Sequence, residues 1–407
     1  MKRVALYSLA IYAGSIFLSS LSLEGLGSLS RVIGYFAFAL GVGAMFSQRG
    51  INRPEWGHVL LTLFVCVSFF SVLWSVDPDM TLDRTWMYTM QLAMLWLVLQ
   101  LIDTQEDMNT VLGGYVIGAF LASAGNFYVF RIGLESVARS GRYSSTALDP
   151  NEFALCVVLA VPVAWYLGFS AERPLARLFF RLCLLVMVPG VILTGSRAGS
   201  IALVISLLVI PLCARHVGTF TKVIVLSVVI VALVAGLSLL PPDTLKRLSS
   251  IGEEVEHGSM AGRRELWAAG WEQFKRHPLL GVGCGGFPEA ISVASITTNV
   301  AHNTYLSVAT ELGVAGFLVW ILSLGRLALD VLRMPKPQRW VWGTVLLSWM
   351  IGVSTLTWEY SKPTWLLFAL IMSQARLTRE DIEHSGEQQF VTGNPRSAFI
   401  EAASESA

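Results

Sequence analysis

Three short segments carry residue types suited to handling a charged phosphate ester beside a nucleophile. TGSRAGS, residues 194–200, sets Arg197 among glycines and serines. GRRELW, residues 262–267, contains Arg263 and Arg264, and AHNTYLSVATELGVAG, residues 301–316, contains His302, Asn303 and Tyr305. A guanidinium matches phosphate oxygens bidentately. An imidazole titrates near neutral pH and can accept a proton from a hydroxyl. Each segment also has a simpler account. A capped hairpin with a snorkelling arginine explains the first, and a lone interfacial histidine is usually structural.

These residues need elements to hold them, and composition says which. Of 407 residues, 54% are apolar and only 14% charged, about half the charge of a typical soluble domain. Apolar runs of about 17 to 23 residues recur, enough to cross ~30 Å of hydrocarbon as helices. About twelve are expected: 4–23, 29–47, 58–76, 85–102, 109–130, 151–170, 174–194, 197–213, 220–240, 303–323, 340–358 and 364–376. The expected fold class is therefore all-α, a polytopic transmembrane helical bundle. The first run follows Lys2 and Arg3 but lacks a clear cleavage site, so it is taken as an anchor rather than a signal peptide.

Charge sets the expected orientation. With the N-terminus inside, short cytoplasmic loops hold Arg49, Arg53, Arg173, Arg177, Arg181, Arg215, Lys222, Arg326, Arg333, Lys336 and Arg339. Short outer loops hold Arg31, Arg84 and Lys362. This is the positive-inside asymmetry. One cytoplasmic loop dissents, with Asp103, Glu106 and Asp107. The three unusual segments, 131–150, 194–197 and 241–302, then emerge on the outer face. They gather Arg131, Arg139, Arg142, Arg197, Lys246, Arg247, Arg263, Arg264, Lys275 and Arg276 there. Either a lipid-linked phosphate or anionic headgroups would account for that cluster.

Local signals refine the picture. Ser196 can cap a helix that begins near Arg197, where free amides and the helix dipole favour an anion. Trp267, Trp271 and Phe274 recur at helical spacing through 263–276, so an amphipathic helix lying in the interface is expected, ended by Pro278. Glu311 lies within a span, a functional candidate by default, but out of phase with His302. Asp77-Pro78-Asp79 is a literal D-x-D, yet two isolated aspartates do not make a hard-cation site, and a capping role is expected instead. Cys66, Cys156, Cys183 and Cys213 fall in apolar runs and only Cys284 in a long loop, which gives no disulfide framework.

Taken in order, TGSRAGS, GRRELW…HPLLGVGCGGF and HNTYLSVATELGVAG resemble the O-antigen ligase/polymerase superfamily. The His302-Asn303 pair followed by Gly313 and Gly316 looks like the family's histidine motif, and DPNEFA at 149–154 resembles the segment opening the sixth span. The resemblance covers residues 140 to 320. It implies a GT-C-like glycosyltransferase of the bacterial inner membrane, metal-independent and without a cofactor, with its active site facing the periplasm. The donor would be an undecaprenyl diphosphate-linked glycan. The acceptor would be lipid A-core for a ligase, another lipid-linked repeat for a polymerase, or a protein side chain. Arg197 and Arg263 would hold the diphosphate, and His302 would activate the acceptor hydroxyl. Arg142 and Arg264 are further phosphate-contact candidates, with Arg139 competing for the place of Arg142 and Arg264 for that of Arg263. Asn303 and Tyr305 would line the substrate. Membrane lipids are expected partners, and nucleic acid is not.

A lipid-linked glycan flippase would also want outward arginines, but charges through several spans and internal repeats would be expected of it. Here the polar groups gather at one mouth. The expected organisation is a transmembrane glycosyltransferase domain over 1–375, including the loop 241–302. A polar, disordered cytoplasmic tail is expected over 376–407.

Overall fold

The computed structural model describes residues 1–23, 27–46, 51–133, 141–145, 148–213, 262–292 and 300–391, with isolated residues from 218 to 245. The span expected at 220–240, most of the loop before residue 262, Arg49, Arg139, Arg215, Lys246, Arg247 and the tail beyond Val391 lie outside them, in whole or in part. Thirteen helices are named here: α1 (Lys2–Ser15), α2 (Leu29–Met45), α3 (Trp56–Phe70), α4 (Pro78–Leu101), α5 (Gln105–Arg131), α6 (Pro150–Ser170), α7 (Pro174–Ile192), α8 (Arg197–Cys213), α9 (Arg263–Arg276), α10 (Phe287–Ser292), α11 (Thr304–Arg333), α12 (Lys336–Val353) and α13 (Lys362–Val391). A two-residue antiparallel ribbon, Ser22–Leu23 with Gly27–Ser28, joins α1 to α2. The protein is an all-α polytopic membrane protein. Among the described residues, five helical stretches are long and apolar enough to cross a bilayer: Trp56–Leu73, α5, α6, α7 and α11.

Local chemistry starts these helices where the sequence suggests. Asp77 accepts from the amide of Met80 with Pro78 in the first turn, so the D-x-D segment is a cap. Thr104 and Asp107 form a reciprocal capping box at α5. Asp149 precedes Pro150 and accepts from Asn151 at the start of α6.

Lipid is as apolar as leucine, so close packing rather than water exclusion holds such helices together. Gly114 shows the constraint: a Cβ there would lie 2.2 Å from the carbonyl oxygen of Ala10, so α1 and α5 meet backbone to backbone. An aromatic cluster centres the bundle. Trp320 lies 4.9 Å from Phe64, 5.9 Å from Phe368 and 6.3 Å from Trp349, each such pair contributing about 0.5–1.5 kcal/mol beyond its area.

Polar pairings collect at the two ends. At one end Lys2 binds Asp103 at 2.8 Å and Asp107 at 3.0 Å, which accounts for the dissenting acidic loop: it neutralises the basic N-terminus. At the same end Arg379 meets Glu55 at 2.5 Å, and Arg326 meets Asp330 at 2.7 Å. Helix α13 continues through this end to Val391, so residues 376–391, expected in a disordered tail, are helical. Buried Arg376 explains part of this, because it donates to the carbonyl of Ile102 and to Glu380. The other end carries the segments singled out above.

Candidate functional site

The TGSRAGS segment is a tight turn between α7 and α8, with Gly195 in the left-handed region at φ 58°. Ser196 caps α8 by accepting from Gly199 at 3.2 Å, and its hydroxyl donates to the Asn151 side-chain oxygen at 2.9 Å. That oxygen also accepts from Arg142 at 2.8 Å, and Arg142 reaches the Thr194 carbonyl at 2.9 Å. Arg142 therefore uses two of its donors to hold the turn. Arg197, half-buried, is the first residue of α8 and follows a backbone fixed from three directions.

The second group forms around His302. Helix α9 is anchored just before it, where the Trp267 indole donates to the Ala301 carbonyl at 3.0 Å. Leu266 is buried with Phe287, Ile291 and Ala301. The aromatic face expected to lie wholly in the interface is thus divided: Trp267 turns toward protein, while Trp271 stays exposed and stacks on Phe274 at 5.2 Å. Arg263, half-buried, and Asp149 both act on His302 electrostatically; Arg264 is exposed. Burial, and then the Arg263 charge, hold the His302 imidazole below its ordinary value, with Asp149 opposing. His302 is also the one non-glycine residue with positive φ among the described residues, at 47°. Such backbone is strained and often marks functional positions.

Asn303 and Tyr305 serve the helix that follows. The Asn303 side chain accepts from Leu306 at 3.1 Å as the cap of α11, and the Tyr305 hydroxyl donates to the Met350 carbonyl at 3.2 Å. Between them Thr304 donates to the Leu356 carbonyl at 2.9 Å and accepts from the amide of Trp358 at 2.8 Å. The start of α6 joins the two groups. Asp149 acts on His302 electrostatically and accepts from both nitrogens of Asn151, which holds Arg142 and Ser196.

A third cluster lies deeper. Ser307 donates to Glu311 at 3.3 Å and to Glu359 at 3.0 Å; Arg84 approaches Glu359 at 3.7 Å and stacks on Tyr360 at 3.8 Å. Glu311 accepts from the Gly285 amide at 2.7 Å, so it fixes the glycine turn rather than His302. That turn threads into a break in α11. Gly313 has φ 62°, and the amides of Val282 and Gly283 donate to the carbonyls of Thr310 and Glu311. Arg84, counted above among outer-loop charges, is buried. Nothing in the sequence singles out Glu359, since a lone carboxylate between two apolar runs is a weak signal.

No curated protein matches the sequence. Residues 182–321 match the family model described as O-Antigen ligase, and those residues include Arg197, Arg263 and His302. Over those residues, about a third of the chain, the match supports a likeness to the O-antigen ligase/polymerase superfamily and suggests a glycosyltransferase-type membrane enzyme, without separating ligase from polymerase.

Proposed function

We propose that the protein transfers a glycan from an undecaprenyl diphosphate carrier to lipid A-core, at the periplasmic face of a bacterial inner membrane. The grouping of Arg263 and His302 against the α6 start, which also receives the Arg197-bearing turn, carries this reading. The acceptor hydroxyl gives its proton to His302 as its oxygen bonds to the anomeric carbon. The bond from that carbon to the diphosphate oxygen breaks, inverting the centre, and its electron pair leaves with the diphosphate. Arg197 and Arg263 offset the charge that develops there. Arg142 is a positioning residue for the turn, and Arg264 stands at the mouth.

A base must be unprotonated to work. Burial and Arg263 favour the neutral imidazole at neutral pH. Asn303 and Tyr305 set the backbone that presents it.

A polymerase would share this donor machinery and use another lipid-linked repeat as acceptor. The loop 241–302 is too short for a separate acceptor-reading domain, which favours an acceptor already in the membrane. Deletion in the host discriminates the readings. Bare lipid A-core with long polymer left on the carrier supports a ligase. Single repeats on the core identify a polymerase, and loss of glycoproteins alone overturns both.

A further inference from the structure

A cavity of about 590 Å³ lies between α1, α2, α4, α6 and the start of α13, at the polar end that holds His302. Its inner wall is apolar, formed by Ile16, Phe38, Met90 and Met94. Its polar wall brings together Arg31 and Lys362, whose like charges oppose each other. The Lys362 ammonium donates to Ser28 and Ser30. Among the described residues neither cation forms an ion pair within 4 Å. Two cations on one wall, the exposed Arg31 and the half-buried Lys362, favour an anionic group in the cavity beside them. Two carboxylates, Asp83 and Glu152, also line the cavity, and Glu152 is bonded to Trp358. Carboxylate acceptors in a lining that also holds Trp86 and Trp358 suit the hydroxyl groups of a sugar.

We propose that this cavity seats the phosphorylated sugar head of a membrane glycolipid. Lys362 and Arg31 share its phosphate, the carboxylates take its hydroxyls, and its acyl chains run along the apolar wall. The site adjoins the transfer centre. Leu148 and Glu152 of the lining lie beside Asp149 in the chain, Asp149 acts on His302 electrostatically, and Trp358 is bonded to Thr304 two residues after His302. Resting on the function proposed above, the occupant is the acceptor, entering on the cavity's side of the α6 start, with the arginine-held turn anchored to that same start through Asn151.

The test uses the purified full-length protein in detergent and four probes: a bisphosphorylated acyl disaccharide lipid, its dephosphorylated analogue, phosphatidylglycerol and inorganic phosphate. Tight binding is expected for the first alone. Arg31→Gln and Lys362→Met should each weaken it about tenfold or more, the range for one charge-assisted bond. Because Lys362 also ties the α1–α2 connection, the exposed Arg31→Gln variant is the deciding one if Lys362→Met fails to fold. Unchanged binding in Arg31→Gln overturns the proposal. So does equal binding of phosphatidylglycerol or phosphate, which would mark a general anion site. In transfer assays Arg31→Gln should raise KM for the acceptor and leave KM for the donor unchanged. Binding that follows this pattern without any transfer would sink the proposed function and leave the cavity assignment standing.

Discussion

Beyond the effect of burial, the Arg263 guanidinium lowers the proton affinity of His302, while Asp149 raises it. The base is thus tuned from two helices, α9 and α6. Because the folded value is depressed, activity should be present at neutral pH and be lost as pH falls through it. In Arg263→Gln the acid limb of the pH–rate profile should move to higher pH, and the maximal rate should fall by about 10²–10³ as a leaving-group contact is removed. Asp149→Asn should move the limb the other way. A profile unmoved in both variants would remove His302 as the titrating base.

Arg197→Lys keeps the charge and loses the fork that matches a diphosphate. Transfer in membranes should fall by about 10²-fold with normal protein levels. Full activity would return Arg197 to a topology signal.

At His302 strain and chemistry can be separated. Alanine in the left-handed region costs about 1 kcal/mol that glycine does not. His302→Gly should therefore melt above His302→Ala in detergent, while both lose about 10²–10⁴ in rate. An active glycine variant would make the residue a backbone device only.

Gly313→Ala tests the break in α11. A Cβ there would lie 2.4 Å from the Leu279 backbone, at a φ that L side chains rarely adopt. The variant should be destabilised by about 2 kcal/mol or more, read as a lowered melting temperature in detergent. Wild-type melting would mean that the threaded turn yields easily.

Helices and caps were legible because they depend on neighbours in sequence: Ser196, Asp77 and the 263–276 helix follow from spacing alone. The arginines were legible as types but not as partners. Arg142 reaches across 52 positions to Thr194 and nine to Asn151, and no local pattern announces that it holds the turn. Arg84 looked like an ordinary outer-loop charge because its partner Glu359 is 275 positions away. The strained backbone of His302 leaves no trace in composition. The helical stretch after residue 375 looked like a tail because the partners of its first arginines, Ile102 for Arg376 and Glu55 and Asp330 for Arg379, are remote in sequence.

The break at Gly313 divides α11 into two mechanical arms. The outer arm, with His302 at its tip, is braced by Thr304 against Leu356 and Trp358 and by Glu311 against the threaded turn. The inner arm continues to Arg333 through the apolar bundle. When the bilayer thins or thickens, a spanning helix adjusts its tilt. Here the amides of Val314 and Ala315 donate to the carbonyls of Pro278 and Leu279, just as those of Val282 and Gly283 donate to Thr310 and Glu311, so the threaded segment clasps both arms and any tilt of the lower one is shared with the chain that carries α9.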